Sequence, residues 1–135
     1  MSSFLPLFIA LLALTALALA CYVWRAARLR RRISASARRQ IRQSWEHAAS
    51  LPDPVRRVLE AEKAADRLLA ELGFRGSFAE KLTAAGVRLG DMEPVWRAHK
   101  LRNRLAHEPG ATVGEKEAAR ALAAFGRLLA PFLGK

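Results

Sequence analysis

The stretch Phe4–Trp24 contains no charged side chain, whereas charges recur from Arg25 to the end of the chain. This run constrains the fold more than any other feature. It is 21 residues long. At ~1.5 Å rise per residue, a helix of that length spans about 30 Å, the thickness of a bilayer's hydrocarbon core. It holds seven Leu, two Phe, one Ile and one Val. At roughly −0.3 to −0.6 kcal/mol each near mid-span, these favour insertion by about 5 kcal/mol, before small penalties from Pro6 and Thr15. Tyr22 and Trp24 stand at its end, and amphipathic rings settle at headgroup level. Residues 1–24 are therefore expected to form a single transmembrane anchor.

Two rival readings use the same residues. A cleaved signal peptide has a basic n-region and a shorter apolar core, but Met1-Ser2-Ser3 has no basic side chain. Ala18-Leu19-Ala20 before Cys21 has the small-x-small look of a cleavage site, yet Ala18 and Leu19 fit the order of a lipoprotein signal poorly. Cys21 is the only cysteine. An intramolecular disulfide and a cysteine-based zinc site are therefore both excluded.

Residues 25–51 form an arginine-rich neck. Arg25, Arg28, Arg30, Arg31, Arg32, Arg38, Arg39 and Arg42 stand against Glu46, a balance of +7 out of +11 for the whole chain. Basic flanks stay on the cytoplasmic side, so the expected topology is N-terminus out and C-terminal domain in the cytoplasm. The neck either serves only as this topology signal or also binds anionic lipid headgroups, because both effects use the same charges.

The remainder, residues 52–135, reads as four helices punctuated by caps and glycines. Asp53 precedes a first-turn Pro54, and Val55, Val58, Leu59, Ala65, Leu68, Leu69 and Leu72 keep helical spacing up to Gly73. Ser77-Phe78-Ala79-Glu80 is a capping box that opens a short helix, expected to stop at Gly86. Asp91 caps a third helix from Met92 to about His107, with Pro94 in its first turn. Thr112-Val113-Gly114-Glu115 reads as a second capping box before a last helix through Leu122, Phe125, Leu128, Leu129 and Phe132. No stretch alternates with period two, so the expected class is all-α. A domain of this size buries one modest core, near the lower limit for independent stability. Its own +4 excess is compatible with RNA or an acidic partner.

The chemistry concentrates in Val95-Trp96-Arg97-Ala98-His99-Lys100-Leu101-Arg102-Asn103-Arg104-Leu105-Ala106-His107-Glu108. His99, Asn103 and His107 follow one another at i,i+4 and share a stripe. Arg102 and His107 are about 140° apart, so one pocket receives both only if it straddles the helix's last turn. His47 and His99 show no evident partner. Glu60, Glu62 and Asp66 on the 54–72 helix can pair with Arg102, most simply as a bidentate contact to Glu62 or Asp66. His107 would then cap its own helix end, and Trp96 reads as core. There is no Gly-rich phosphate loop, no Ser–His–Asp set and no metal-binding cluster, so no cofactor or metal is expected.

Arg102-Asn103-Arg104-Leu105-Ala106-His107 resembles the Arg-x4-His motif of HEPN domains, with the polar residue after Arg that many members show. Around it stand Glu60-Ala61-Glu62-Lys63-Ala64-Ala65-Asp66, Ser77-Phe78-Ala79-Glu80-Lys81-Leu82 and a final helix. With the N-terminal span, the whole is similar to a group of bacterial membrane-anchored proteins. The resemblance implies a small four-helix HEPN-like bundle held at the bacterial inner membrane, with a homodimer as one arrangement. Many HEPN domains are metal-independent endoribonucleases; others are inactive binding or dimerisation modules. If the enzymatic role carried over, Arg102 would hold the scissile phosphate, His107 would act as general acid or base, and Asn103 would orient one of them. Two functions stay open at this point: an interaction or scaffold module tethered to the membrane, and a membrane-anchored ribonuclease using Arg102 and His107.

Overall fold

The computed structural model describes residues 4–31 and 33–134, and these form six α-helices and no strand. Among the neck arginines, Arg32 and the side chains of Arg30 and Arg31 lie outside the described residues, as do Met1–Ser3 and Lys135. The chain divides into two compact units, residues 1–31 and 32–135.

The first unit is α1, Phe4–Arg31, a single helix of 28 residues. Its stretch Leu5–Arg25 is long and apolar enough to cross a membrane, and none of it is buried. Pro6 falls in the first turn, where its missing N–H costs no helical hydrogen bond. Near the other end, the Arg28 guanidinium lies 4.4 Å from the centroid of the Trp24 ring, a cation–π contact.

The second unit is a bundle of five helices rather than the four expected. The added member is α2, Ala35–Ser50, which lies entirely within the stretch read as a neck. Ile33, Ala37, Ile41 and Ala48 are buried, and Trp45 lies 3.1 Å from where a Cβ on Gly126 would sit. An apolar stripe therefore runs through the arginines, and burial of that stripe makes α2 part of the core. The Ser34 hydroxyl opens the helix by accepting from the Ala37 N–H.

Helix α3, Pro54–Glu71, touches each of the other four helices and forms the centre. Asp53 caps it, accepting from the Val55 and Arg56 N–H groups. At its end, Phe74 N–H donates to the Leu69 carbonyl and Gly73 N–H to that of Ala70. This Schellman ending needs the left-handed backbone that Gly73 supplies at φ 94°. Helix α4, Phe78–Leu89, has the expected reciprocal capping box between Ser77 and Glu80. It runs past Gly86, however, and ends at Gly90, which has φ 94°.

Helix α5 spans Glu93–His107 and α6 spans Glu115–Leu133. Met92, not Asp91, takes the N-cap position and no side chain caps α5 there; Asp91 lies one residue further out, where its carboxylate accepts from the Glu93 N–H. The capping box expected at Thr112 does not form. Gly114 takes the N-cap position and no side chain caps α6. Contacts between Gln40 and Arg67, and between the Leu51 carbonyl and Arg57, set α2 and α3 antiparallel. Arg42 against the Leu133 carbonyl and Trp45 against Gly126 set α2 and α6 antiparallel as well. Phe125, Ile41, Leu68, Leu69, Leu72, Leu82, Leu129 and Val58 are the largest fully buried side chains, and they come from α2, α3, α4 and α6 and the end of α3.

Candidate functional site

Along the seam of α3 and α5, four polar side chains close into a ring. Glu62 is on the core-facing side of α3 and only 5% exposed. His99, Arg102 and Asn103 sit about one turn apart on α5, so helical spacing presents His99 and Arg102 to the same carboxylate and places Asn103 between them. His99 Nδ1 donates to Glu62 Oε2 over 2.8 Å. Asn103 Nδ2 donates to His99 Nε2 over 3.1 Å, and Arg102 Nη1 donates to Asn103 Oδ1 over 3.2 Å. The ring closes where Arg102 Nε lies 3.0 Å from Glu62 Oε1.

The Arg102–Glu62 contact is an ion pair but not the bidentate fork expected. The Nε–H group does not point along the line to Oε1 and makes no aligned hydrogen bond, and Nη1 is turned to Asn103 instead. Burial pushes the Glu62 carboxyl above its ordinary range, opposed by the hydrogen bond from His99 and by the electrostatic attraction of His99 and Arg102. Desolvation thus outweighs attraction at this position, as is common for buried pairs.

Aromatic and charged neighbours frame the ring. The His99 imidazole packs 5.1 Å from Phe78 and 5.9 Å from Trp96, centroid to centroid. Lys81 of α4 is buried and holds Asp66 of α3 at 2.8 Å. Asp66, the other carboxylate considered for Arg102, is therefore engaged elsewhere. Glu60 pairs with Lys63.

The three residues of the sequence motif are not all brought together. Arg102 and Asn103 are joined. His107 is exposed at the last residue of α5, and no hydrogen bond, ion pair or ring contact links it to them or to any other described residue. It does not cap its helix through its side chain. His99, read from sequence as partnerless, is instead the residue in direct contact with Glu62. Its partner is 37 positions away, a distance that no local spacing rule spans. The one available signal was the shared stripe of His99 and Asn103.

A carboxylate–imidazole pair is the kind of dyad that serves general base catalysis. Here the imidazole nitrogen that would take a proton already accepts from Asn103, and among the described residues no Ser, Thr or Cys is hydrogen-bonded to the ring. Each of the four side chains engages others of the ring, and the result is a closed polar network at a helix seam in which the Arg102 Nε alone lacks an aligned hydrogen bond. Among the described residues, no group of three or more His, Cys, Asp or Glu side chains is placed to hold a metal ion. No protein-family model matches the sequence, and neither a curated protein nor a solved structure matches it.

Proposed function

We propose that this protein is a membrane-tethered, HEPN-like helical module that works by binding. In this reading α1 is a single span of the bacterial inner membrane, its N-terminus lies outside, and the bundle is cytoplasmic. The orientation is supported by the arginines that follow Trp24, against a single positive α-amino group before the span. The HEPN-like reading is supported by Arg102-Asn103 and His107 on a late helix of a small bundle. The partner is another macromolecule, with a second copy of this chain as one candidate.

The observation that carries binding over catalysis is the ring itself. Arg102 is engaged with Glu62 and Asn103, and His107 stands apart from it. A phosphate held by Arg102 would have to compete with a buried carboxylate already 3.0 Å away. The test is metal-free cleavage of a labelled RNA by the full chain in detergent, compared with His107→Ala. The expected result is no cleavage by either protein. Cleavage by the wild type that disappears in His107→Ala would replace this reading with the ribonuclease. Orientation is tested separately by a reporter fused after Lys135, expected to be active in the cytoplasm; periplasmic activity would overturn it.

A further inference from the structure

We propose that the outer face shared by α5 and α6 docks on a layer of anionic lipid headgroups. This inference rests on the membrane-tethered reading of α1. Two helix stripes make the face. On α6, Lys116, Ala119, Arg120, Ala123, Arg127 and Ala130 all point away from the core and are exposed. The stripe alternates cations with the smallest side chain and includes no carboxylate. On α5, Arg97, Lys100 and Arg104 follow one another at i, i+3 and i+7 on the exposed side. Arg104 reaches across to Glu117 at 3.0 Å and ties the two stripes together.

The distribution of unpaired charge singles this face out. Elsewhere on the bundle the cations are largely occupied: Arg57 by Glu115, Lys63 by Glu60, Lys81 by Asp66, Arg67 by Gln40, and Arg42 by the Leu133 and Gly134 carbonyls. Arg39, Arg56 and Arg75 are left over, on α2, on α3 and in the connection after α3, and Arg88 of α4 has only the Phe74 ring beneath it. On the α5–α6 face, by contrast, Lys100, Lys116, Arg120 and Arg127 together have no hydrogen bond or ion pair with any described residue. Lys116 to Arg127 alone covers about 16 Å of helix. A row of unpaired cations on a flat surface repels itself and is relieved by a polyanionic partner.

Two observations favour lipid headgroups over a nucleic acid strand. Single-stranded nucleic acid is held by aromatic side chains that stack on bases. Among the described residues of the bundle no Phe, Tyr or Trp ring is exposed, the exposed rings being only the imidazoles of His47 and His107, and Val87 is the only exposed large hydrophobic side chain. Moreover, only residues 32–34 separate α1 from α2, at most about 10 Å of extended chain. If α1 is in a bilayer, headgroups reach the bundle at the high effective concentration of a tethered ligand, and basic surfaces so held are drawn to anionic leaflets. The alanines allow α6 to lie close to such a surface without bulky side chains holding it off.

The experiment uses the full chain with Cys21→Ser, reconstituted into nanodiscs of phosphatidylcholine alone or mixed with phosphatidylglycerol. Reporter thiols are A123C on the proposed face and A70C on the exposed side of α3, read by labelling with a charged maleimide. The A123C reporter is expected to label several-fold more slowly in the anionic discs than in the neutral ones. High salt or Arg120→Glu with Arg127→Glu should remove that protection, and Arg120→Lys with Arg127→Lys should keep it. The A70C reporter should label equally in both discs. Equal labelling of A123C in both discs, with the chain retained in them, would overturn the docking surface and leave the tether intact. A chain that leaves the discs would overturn the tether and the docking surface together. Protection by an added RNA oligonucleotide but not by anionic lipid would overturn the lipid assignment in favour of nucleic acid.

Discussion

Helices α1 and α3 distribute their apolar side chains in different ways. In α3 the apolar residues Val58, Ala61, Ala65, Leu68 and Leu69 form one stripe, and that stripe is buried by the other helices of the same bundle. In α1 the apolar residues go all the way round. Leu5, Leu7, Leu11, Leu12, Leu14, Leu17 and Leu19 are each more than half exposed. A helix with a polar face can let water touch that face and hide the other. A helix with no polar face has no side to turn to water, and that is what makes α1 apolar enough to be a candidate span. Composition alone does not distinguish the two solutions; the arrangement of charge around the helix does.

The largest effect is expected from giving α1 a polar face. Leu11→Arg with Leu14→Arg adds about 3 kcal/mol per arginine at mid-span, enough to cancel the roughly 5 kcal/mol that favours insertion. Carbonate extraction should move the double variant from the membrane pellet to the supernatant. Retention in the pellet would mean that something other than insertion holds α1.

A cavity in the bundle tests the other side of the comparison. Phe125 is fully buried where α6 meets α4, with its ring 6.2 Å from that of Phe78. Phe125→Ala should cost about 3–5 kcal/mol and lower the thermal midpoint by far more than Val87→Ala, which removes an exposed side chain. Equal effects of the two would mean that the core is not where α6 places it.

The polar ring gives a smaller, graded effect. Arg102→Ala leaves Glu62 buried beside His99 alone and should cost about 2 kcal/mol. A larger loss is avoided because the side chain of Arg102 keeps 28% exposure and its contact with Glu62 is not an aligned fork. Arg104→Ala, which loses only an exposed pair with Glu117, should change stability by less than about 1 kcal/mol. Denaturant melts that put Arg104→Ala at or above Arg102→Ala would contradict the ring's structural role.

The smallest effect is a pH slope. Glu62 has a folded-state pKa above its unfolded value of 4.5. Below that value the carboxyl is protonated in both states and contributes no difference. As pH rises from 4.5 towards the raised value, the unfolded chain releases its proton first, so this group's contribution to stability falls and then levels. Glu80 works in the opposite sense. Hydrogen bonds from Ser77 hold its carboxyl low, so its stabilisation is present above 4.5 and is lost as pH falls through the lowered value. The midpoint of Glu62→Gln minus that of the wild type isolates the first group and should grow with pH above 4.5. A difference that shrinks over that range would reverse the assigned direction.

What the sequence determined by itself is what depends on neighbours along the chain. The uncharged run predicts α1 because helix length and hydropathy are local quantities. Asp53-Pro54, Ser77–Glu80 and Gly73 mark helix ends because a cap is made within a few residues of itself, and all three stand where they were expected. The Arg102–Glu62 contact was legible in outline, since two helices with apolar stripes must pack and bring a cation near a carboxylate. Tertiary structure decided the rest. Arginines masked the stripe Ile33, Ala37, Ile41 and Ala48, and only the surfaces of α3 and α6 make that stripe a core face rather than a solvated neck. Thr112 offers a local cap that α6 does not use; the helix starts at Glu115, whose carboxylate meets Arg57 of α3. His99 finds Glu62, and His107 finds no partner among the described residues, for the same reason. A histidine's partner is set by which side of its helix faces another element, and that is fixed by packing between residues dozens of positions apart.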